Sequence, residues 1–146
     1  VTLQEAIGDL LDAPPGALPD HDPVPFAPHE LAYGLEVADP DRPAKTITTL
    51  VRCARRTTGG RMKTYAVAAS SGPRKLTPRE CLRLQSFPDW WKFPPGTPTT
   101  AKYRMVGEAV PPVLAYRLAA HVLPAIGFEA PEGEGVWELP YRHRLF

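Results

Sequence analysis

The sequence predicts an α+β fold, a small β-hairpin-rich lobe followed by helices. Three observations carry this. Thr77-Pro78-Arg79-Glu80 opens a sharply specified short helix. Two β-branched runs, Lys45 to Cys53 and Lys63 to Ala69, flank a Gly59-Gly60 turn. Pro111-Pro112 then starts an apolar run that Pro124 and Gly127 end. A chain of 146 residues is close to the usual size of one domain, and its 19 prolines place much of it in loops.

At the N-terminus, Thr2 and Glu5 form a capping box ahead of Ala6 and Ile7 and predict a short first helix. From Ala13 to Pro28 six prolines and Gly16 favour a linker or an extended crossing. His21 and His29 lie in and just after this stretch. No Cys or His stands near them at zinc-like spacing, so they read as loop histidines and no metal site is expected.

Net charge near zero hides a segregation. Residues 1 to 40 hold no Lys or Arg, whereas Arg42, Lys45, Arg52, Arg55, Arg56, Arg61, Lys63, Arg74 and Lys75 crowd the next stretch against Asp41 alone. Such a segment attracts polyanions, the alternative being a solvated face. The two β-branched runs read as a hairpin with a basic tip, from which Arg55, Arg56, Arg61 and Lys63 would reach a phosphate backbone or a base edge. The plainer reading is an edge hairpin with a soluble tip.

The helix that follows has Thr77 as N-cap, Pro78 at the first position and Glu80 at the third, with Leu76 placed to staple onto Cys81. Cys81, Leu84 and Phe87 make an apolar face, Arg79 and Arg83 a charged one, and Pro88 stops the helix. Trp90, Trp91 and Phe93 could stack on bases or close a core; core is expected for at least one tryptophan. Gly107 permits a tight turn before the Pro111-Pro112 helix, which only Arg117 and His121 interrupt and which should be mostly buried. Past Ile126 the tail mixes acids with Trp137, Tyr141 and Phe146.

The run R-K-L-T-P-R-E-C-L-R-L-Q-S-F-P-D (Arg74 to Asp89), followed by Y-R-M-V-G-E-A-V-P-P (Tyr103 to Pro112), resembles the ninth and tenth conserved motifs of the DNA cytosine-5 methyltransferases. The T-L-Q-E-A-I-G-D-L segment is similar to the one following that family's eighth motif. The resemblance implies S-adenosylmethionine as methyl donor, double-stranded DNA as substrate, and helices that complete an α/β S-adenosylmethionine-dependent methyltransferase fold. It divides the chain into an exit from the catalytic domain (1–12), a target recognition region (13–73), the ninth motif and its connection (74–102), the tenth motif and returning helix (103–127), and a tail (128–146).

By the same resemblance, Gly107, Glu108, Ala109 and Val110 lie beside the cofactor, with Glu108 where most of the family has Asn. Thr46, Arg52, Arg55, Arg56, Arg61 and Lys63 would contact DNA. Thr46-Ile47 matches a Thr-Leu signature of the recognition domain, with Thr49-Leu50 as a competing register. Arg79, Glu80 and Arg83 would be structural organisers.

Methylation at carbon 5 requires a nucleophile on carbon 6, a group at ring nitrogen 3, a bound donor and a flipped base. The family supplies the first two from Pro-Cys-Gln and Glu-Asn-Val segments, and neither occurs here. Cys53 and Cys81 stand in other contexts, so no catalytic residue is assigned and the chain alone is expected to be inactive. The partner expected is an N-terminal catalytic half, as a separate subunit or the rest of one polypeptide. A start at Val1 agrees with a fragment, a processed product or a split subunit. Two free thiols, no apolar run near the ~18 residues of a membrane helix and no leader pattern suggest a cytoplasmic, nucleoid-associated modification enzyme. The rivals are a non-catalytic DNA-binding remnant and a scaffold holding an acidic protein.

Overall fold

The structure, a computed structural model, describes residues 1–31, 34–47, 55–56 and 62–129. Helix α1 (Leu3–Ile7) runs into a single 3-10 turn, Gly8–Leu10. The capping box is present: Thr2 Oγ1 accepts from the Glu5 amide and the Glu5 carboxylate accepts from the Thr2 amide. The proline-rich crossing that follows is irregular until the one-turn helix α2 (Pro28–Leu31).

Strands β1 (Leu35–Val37), β2 (Arg55–Arg56), β3 (Met62–Ala69) and β4 (Gly72–Arg74) form one mixed sheet around β3. β1 pairs parallel with residues 64–66 of β3, β2 antiparallel with 62–63, and β4 antiparallel with 67–69. The second strand of the expected hairpin is β3, but its described antiparallel partner on that side, β2, is formed by Arg55 and Arg56, which the sequence places in the basic tip and not in a strand. Of the first expected strand, residues 45–47 belong to no strand, and 48–53 lie outside the described residues, as do 57–61 of the tip. A second, tighter hairpin joins β3 to β4 through Ser70 and Ser71, with Gly72 at φ 112°.

Helices α3 (Pro78–Leu84), α4 (Thr99–Glu108) and α5 (Pro112–Ala125) follow. The core joins Leu3, Ala6 and Ile7 of α1, Val67 of β3, Leu76, Cys81 and Leu82 around α3, Phe93, and Tyr103 and Val106 of α4. Trp91 packs edge-on between Phe87 and Phe93, as expected of one tryptophan, while Trp90 is exposed.

Every residue of α3 from Pro78 to Arg83 is buried, its charged residues included. One expectation is corrected: no residue of α5 is fully buried, and Leu114, Leu118 and Val122, one turn apart on a single stripe, are each about half exposed. Its apolar pattern was read as core, but no described element lies over that stripe.

Candidate functional site

The residues around α3 bury charge, and each charge is answered. β4 ends at Arg74, whose guanidinium meets Glu80: Nη2 to Oε1 at 2.6 Å and Nη1 to Oε2 at 2.9 Å. The same Nη2 donates to the carbonyls of Leu10 (3.1 Å) and Leu11 (2.9 Å), so one ion pair joins the exit from α1, the end of β4 and the start of α3. Arg83 donates to both oxygens of Asp89 and, at 2.6 Å, to Asp9. Arg79 donates to the carbonyls of Pro19 and Trp91, each at 2.8 Å, with Asp20 and Asp89 carboxylates within 4 Å.

Burial of such charges is tolerated only with partners of this kind. Burial lowers the pKa of Arg79 against the pull of Asp89 and Asp20. For Arg83 burial acts the same way, but the hydrogen bonds it donates to Asp89 and Asp9 outweigh it and raise the pKa. Both guanidinium groups remain charged.

α4 is held against this hub by Tyr103, whose hydroxyl donates to Leu76 O at 2.6 Å, and by Gln85, whose side-chain amide donates to Val106 O. The four residues expected beside the cofactor lie where α4 gives way to α5. Gly107 is not a turn residue; it sits within α4 and has no left-handed φ. The change of direction falls two residues later, where Ala109 is extended (ψ 147°) and Val110 precedes Pro111, a position that disfavours α-helical backbone. Glu108 pairs with Arg104 at 3.3 Å on the exposed side of α4, and Val110 is exposed.

Of the residues expected to meet DNA, Arg55 and Lys63 are register partners on the β2–β3 ladder, with Arg56 opposite Met62. Thr46 is exposed and lies in no regular element. Arg52 and Arg61 lie outside the described residues.

Cys81 is fully buried, and burial, with Glu80 beside it, pushes its thiol far up, which removes it as a nucleophile at neutral pH. Cys53 lies outside the described residues. His21 was read only as a loop residue, yet it is buried under α3, with Nδ1 3.2 Å from Thr77 Oγ1 and Nε2 3.4 Å from Ala13 O. The carbonyl requires the proton on Nε2, and in the neutral ring Nδ1 is then the acceptor for the Thr77 hydroxyl. Nothing local in a proline-rich stretch marks such a histidine. Ser86 was also missed; it lies at φ 60° and its Oγ accepts from the Val113 amide.

Among the described residues no group of three or more His, Cys, Asp or Glu could hold a metal, and no helix is long and apolar enough to cross a membrane.

The family model described as C-5 cytosine-specific DNA methylase matches residues 33–123, well over half of the sequence, and the chain belongs to that family. Among curated relatives, it is 49% identical over 49 residues to the type II methyltransferase M.Bpa9945I of Bacillus paralicheniformis, covering 34% of this chain and 11% of that protein. It is 45% identical over 49 residues to the type II methyltransferase M.AplI of Arthrospira platensis, covering 34% of this chain and 14% of the relative. It is 47% identical over 53 residues to DNA (cytosine-5)-methyltransferase 2 of Arabidopsis thaliana, covering 36% of this chain and 3% of that protein. The matched segment is thus a small part of each relative's length.

Proposed function

We propose that this chain is the C-terminal, target-recognising and cofactor-pocket-completing part of a DNA (cytosine-5-)-methyltransferase. The complete enzyme would transfer the methyl group of S-adenosylmethionine to carbon 5 of a flipped cytosine in a specific double-stranded DNA sequence. The observation that carries this is the coupling of two motif-bearing segments: Gln85 and Ser86, just past the buried helix α3 that the Arg74–Glu80 pair anchors, are hydrogen-bonded to both sides of the α4–α5 hinge.

The hinge would form one wall of the donor pocket. Ala109 is small, its backbone is extended, and Val110 is exposed to whatever packs there. Gly107, Glu108, Ala109 and Val110 would lie against S-adenosylmethionine, which supplies the methyl group when bound. Arg79, Glu80 and Arg83 would hold the base of the recognition lobe. Arg55, Arg56 and Lys63 of the β2–β3 ladder, with Thr46, Arg52 and Arg61, would meet the DNA. The exposed stripe of α5 would be covered by the catalytic part, which brings the Cys and Glu segments this sequence lacks.

The test combines this chain with an N-terminal part bearing Pro-Cys-Gln and Glu-Asn-Val segments and follows labelled methyl transfer to cytosine carbon 5. Transfer only when both parts are present supports the assignment. Salt-sensitive DNA binding with no transfer under any pairing would identify a DNA-binding remnant instead, in which Glu108 in place of Asn has cost the cofactor contact.

A further inference from the structure

Helix α3 ends in a Schellman motif, with the Phe87 amide donating to Leu82 O at 2.9 Å and the Ser86 amide to Arg83 O at 2.8 Å. α5 ends in the same motif, through Phe128 to Leu123 O at 3.0 Å and Gly127 to Pro124 O at 3.2 Å. The residue in the left-handed position differs: Gly127 at φ 86° in one, Ser86 at φ 60° in the other. Glycine enters that region freely, whereas a residue with a Cβ is strained there. A serine at this point calls for a contribution that glycine lacks.

The hydroxyl supplies one. Ser86 Oγ accepts from the amide of Val113 at 3.2 Å. Val113 is in the first turn of α5, where amides have no partner inside the helix, and the N-cap residue is Pro111, which offers no side-chain acceptor. The preceding residue, Gln85, donates to Val106 O in the last turn of α4. Two consecutive side chains at the end of one helix therefore hold backbone groups on both sides of the hinge. None of α5's own residues is fully buried, so a hydrogen bond at its first turn matters to its direction.

We infer that Gln85 and Ser86 form a bracket that sets the direction of α5 relative to α4, with Ser86 as a positioning residue for the Glu108–Pro112 hinge. The functional weight of the bracket rests on the assignment of that hinge to the donor pocket. It gives the enzyme a mechanical link from the base of the recognition lobe to the cofactor wall, independent of the catalytic residues.

Ser86→Gly separates this role from simple helix termination, because it removes the hydroxyl while relieving the strain. If Ser86 only ended α3, the variant would keep or raise its melting temperature and leave the hinge unchanged. The bracket predicts the same melting behaviour together with faster amide hydrogen exchange at Val113 and the first turn of α5, by about fivefold to tenfold for one lost hydrogen bond. Ser86→Asn, which tolerates left-handed backbone and carries an acceptor oxygen, is expected to restore slow exchange. Unchanged exchange at Val113 in Ser86→Gly overturns the bracket. S-adenosylmethionine affinity is measured separately by calorimetry on the complete enzyme. Altered exchange with unaltered affinity upholds the bracket and removes the hinge from the donor pocket.

Discussion

Arg74 and Glu80 meet as two forks in the interior, at 2.6 and 2.9 Å, with side chains 6% and 0% exposed. The Glu80 oxygen bonded to Arg74 Nη1 also accepts from the Thr77 amide at 2.7 Å, so one carboxylate caps α3 and anchors β4 to it. Local and tertiary structure are fixed by the same group. A change at Glu80 therefore acts on the helix cap, the end of β4 and the exit from α1 together.

Glu80→Gln keeps the volume but leaves Arg74 buried without its counter-charge and offers a donor where acceptors are needed. The expected loss is about 3–5 kcal/mol of unfolding free energy, read from urea denaturation. A loss below about 1 kcal/mol would place the pair with ordinary surface ion pairs and contradict its burial.

Arg83 has two acidic partners in different surroundings. Asp89 takes two bonds and is largely sheltered, whereas Asp9 takes one and is mostly exposed. Asp89→Ala should cost about 2–3 kcal/mol and Asp9→Ala less than about 1 kcal/mol. Equal effects in thermal or denaturant unfolding would show that exposure does not rank these pairs.

The contrast also marks how far the sequence could be read. Capping boxes at Thr2–Glu5 and Thr77–Glu80 are local, three-residue relations, and both are present. β3 was legible because alternation of Tyr65, Val67 and Ala69 is a local pattern too. What failed was anything set by long-range partners. Arg79 and Arg83 were expected as structural organisers only through the resemblance; their acceptors, Pro19 O, Trp91 O, Asp9 and Asp89, come from segments spread across the chain and no local pattern names them. His21 and Ser86 were invisible for the same reason. α5 was misplaced in the opposite sense, since an apolar stripe reports that something should cover it and not that this chain does.

Asp12 fixes the turn between β3 and β4, its Oδ1 accepting from the Ser70 amide at 2.6 Å and hydroxyl at 2.8 Å. The backbone bond, followed by the hydroxyl bond, lowers its pKa below the ordinary carboxylate value. Because the folded pKa is the lower one, the contact's stabilisation is present above the unfolded pKa and is lost as pH falls through the folded value. Asp12→Asn should therefore flatten the acid side of the stability curve and leave neutral-to-alkaline behaviour parallel to the parent. An unaltered acid limb in the variant would mean that Asp12 is not linked to folding.

Leu114, Leu118 and Val122 project one apolar stripe from a helix with no buried residue, and Val110, Ile126 and Phe128 extend the exposed apolar surface at its two ends. Exposed patches of this kind drive association until a partner covers them. Leu118→Lys interrupts the stripe at its centre without touching the core, so unfolding free energy should move by less than about 0.5 kcal/mol. Sedimentation should show the parent chain gaining mass with concentration and the variant doing so far less. In the complete enzyme the same charge would have to be buried against the catalytic part, so methyl transfer should fall together with the affinity between the two parts. If the variant associates like the parent and supports full transfer, the stripe is not the docking face and α5 must be covered from another side.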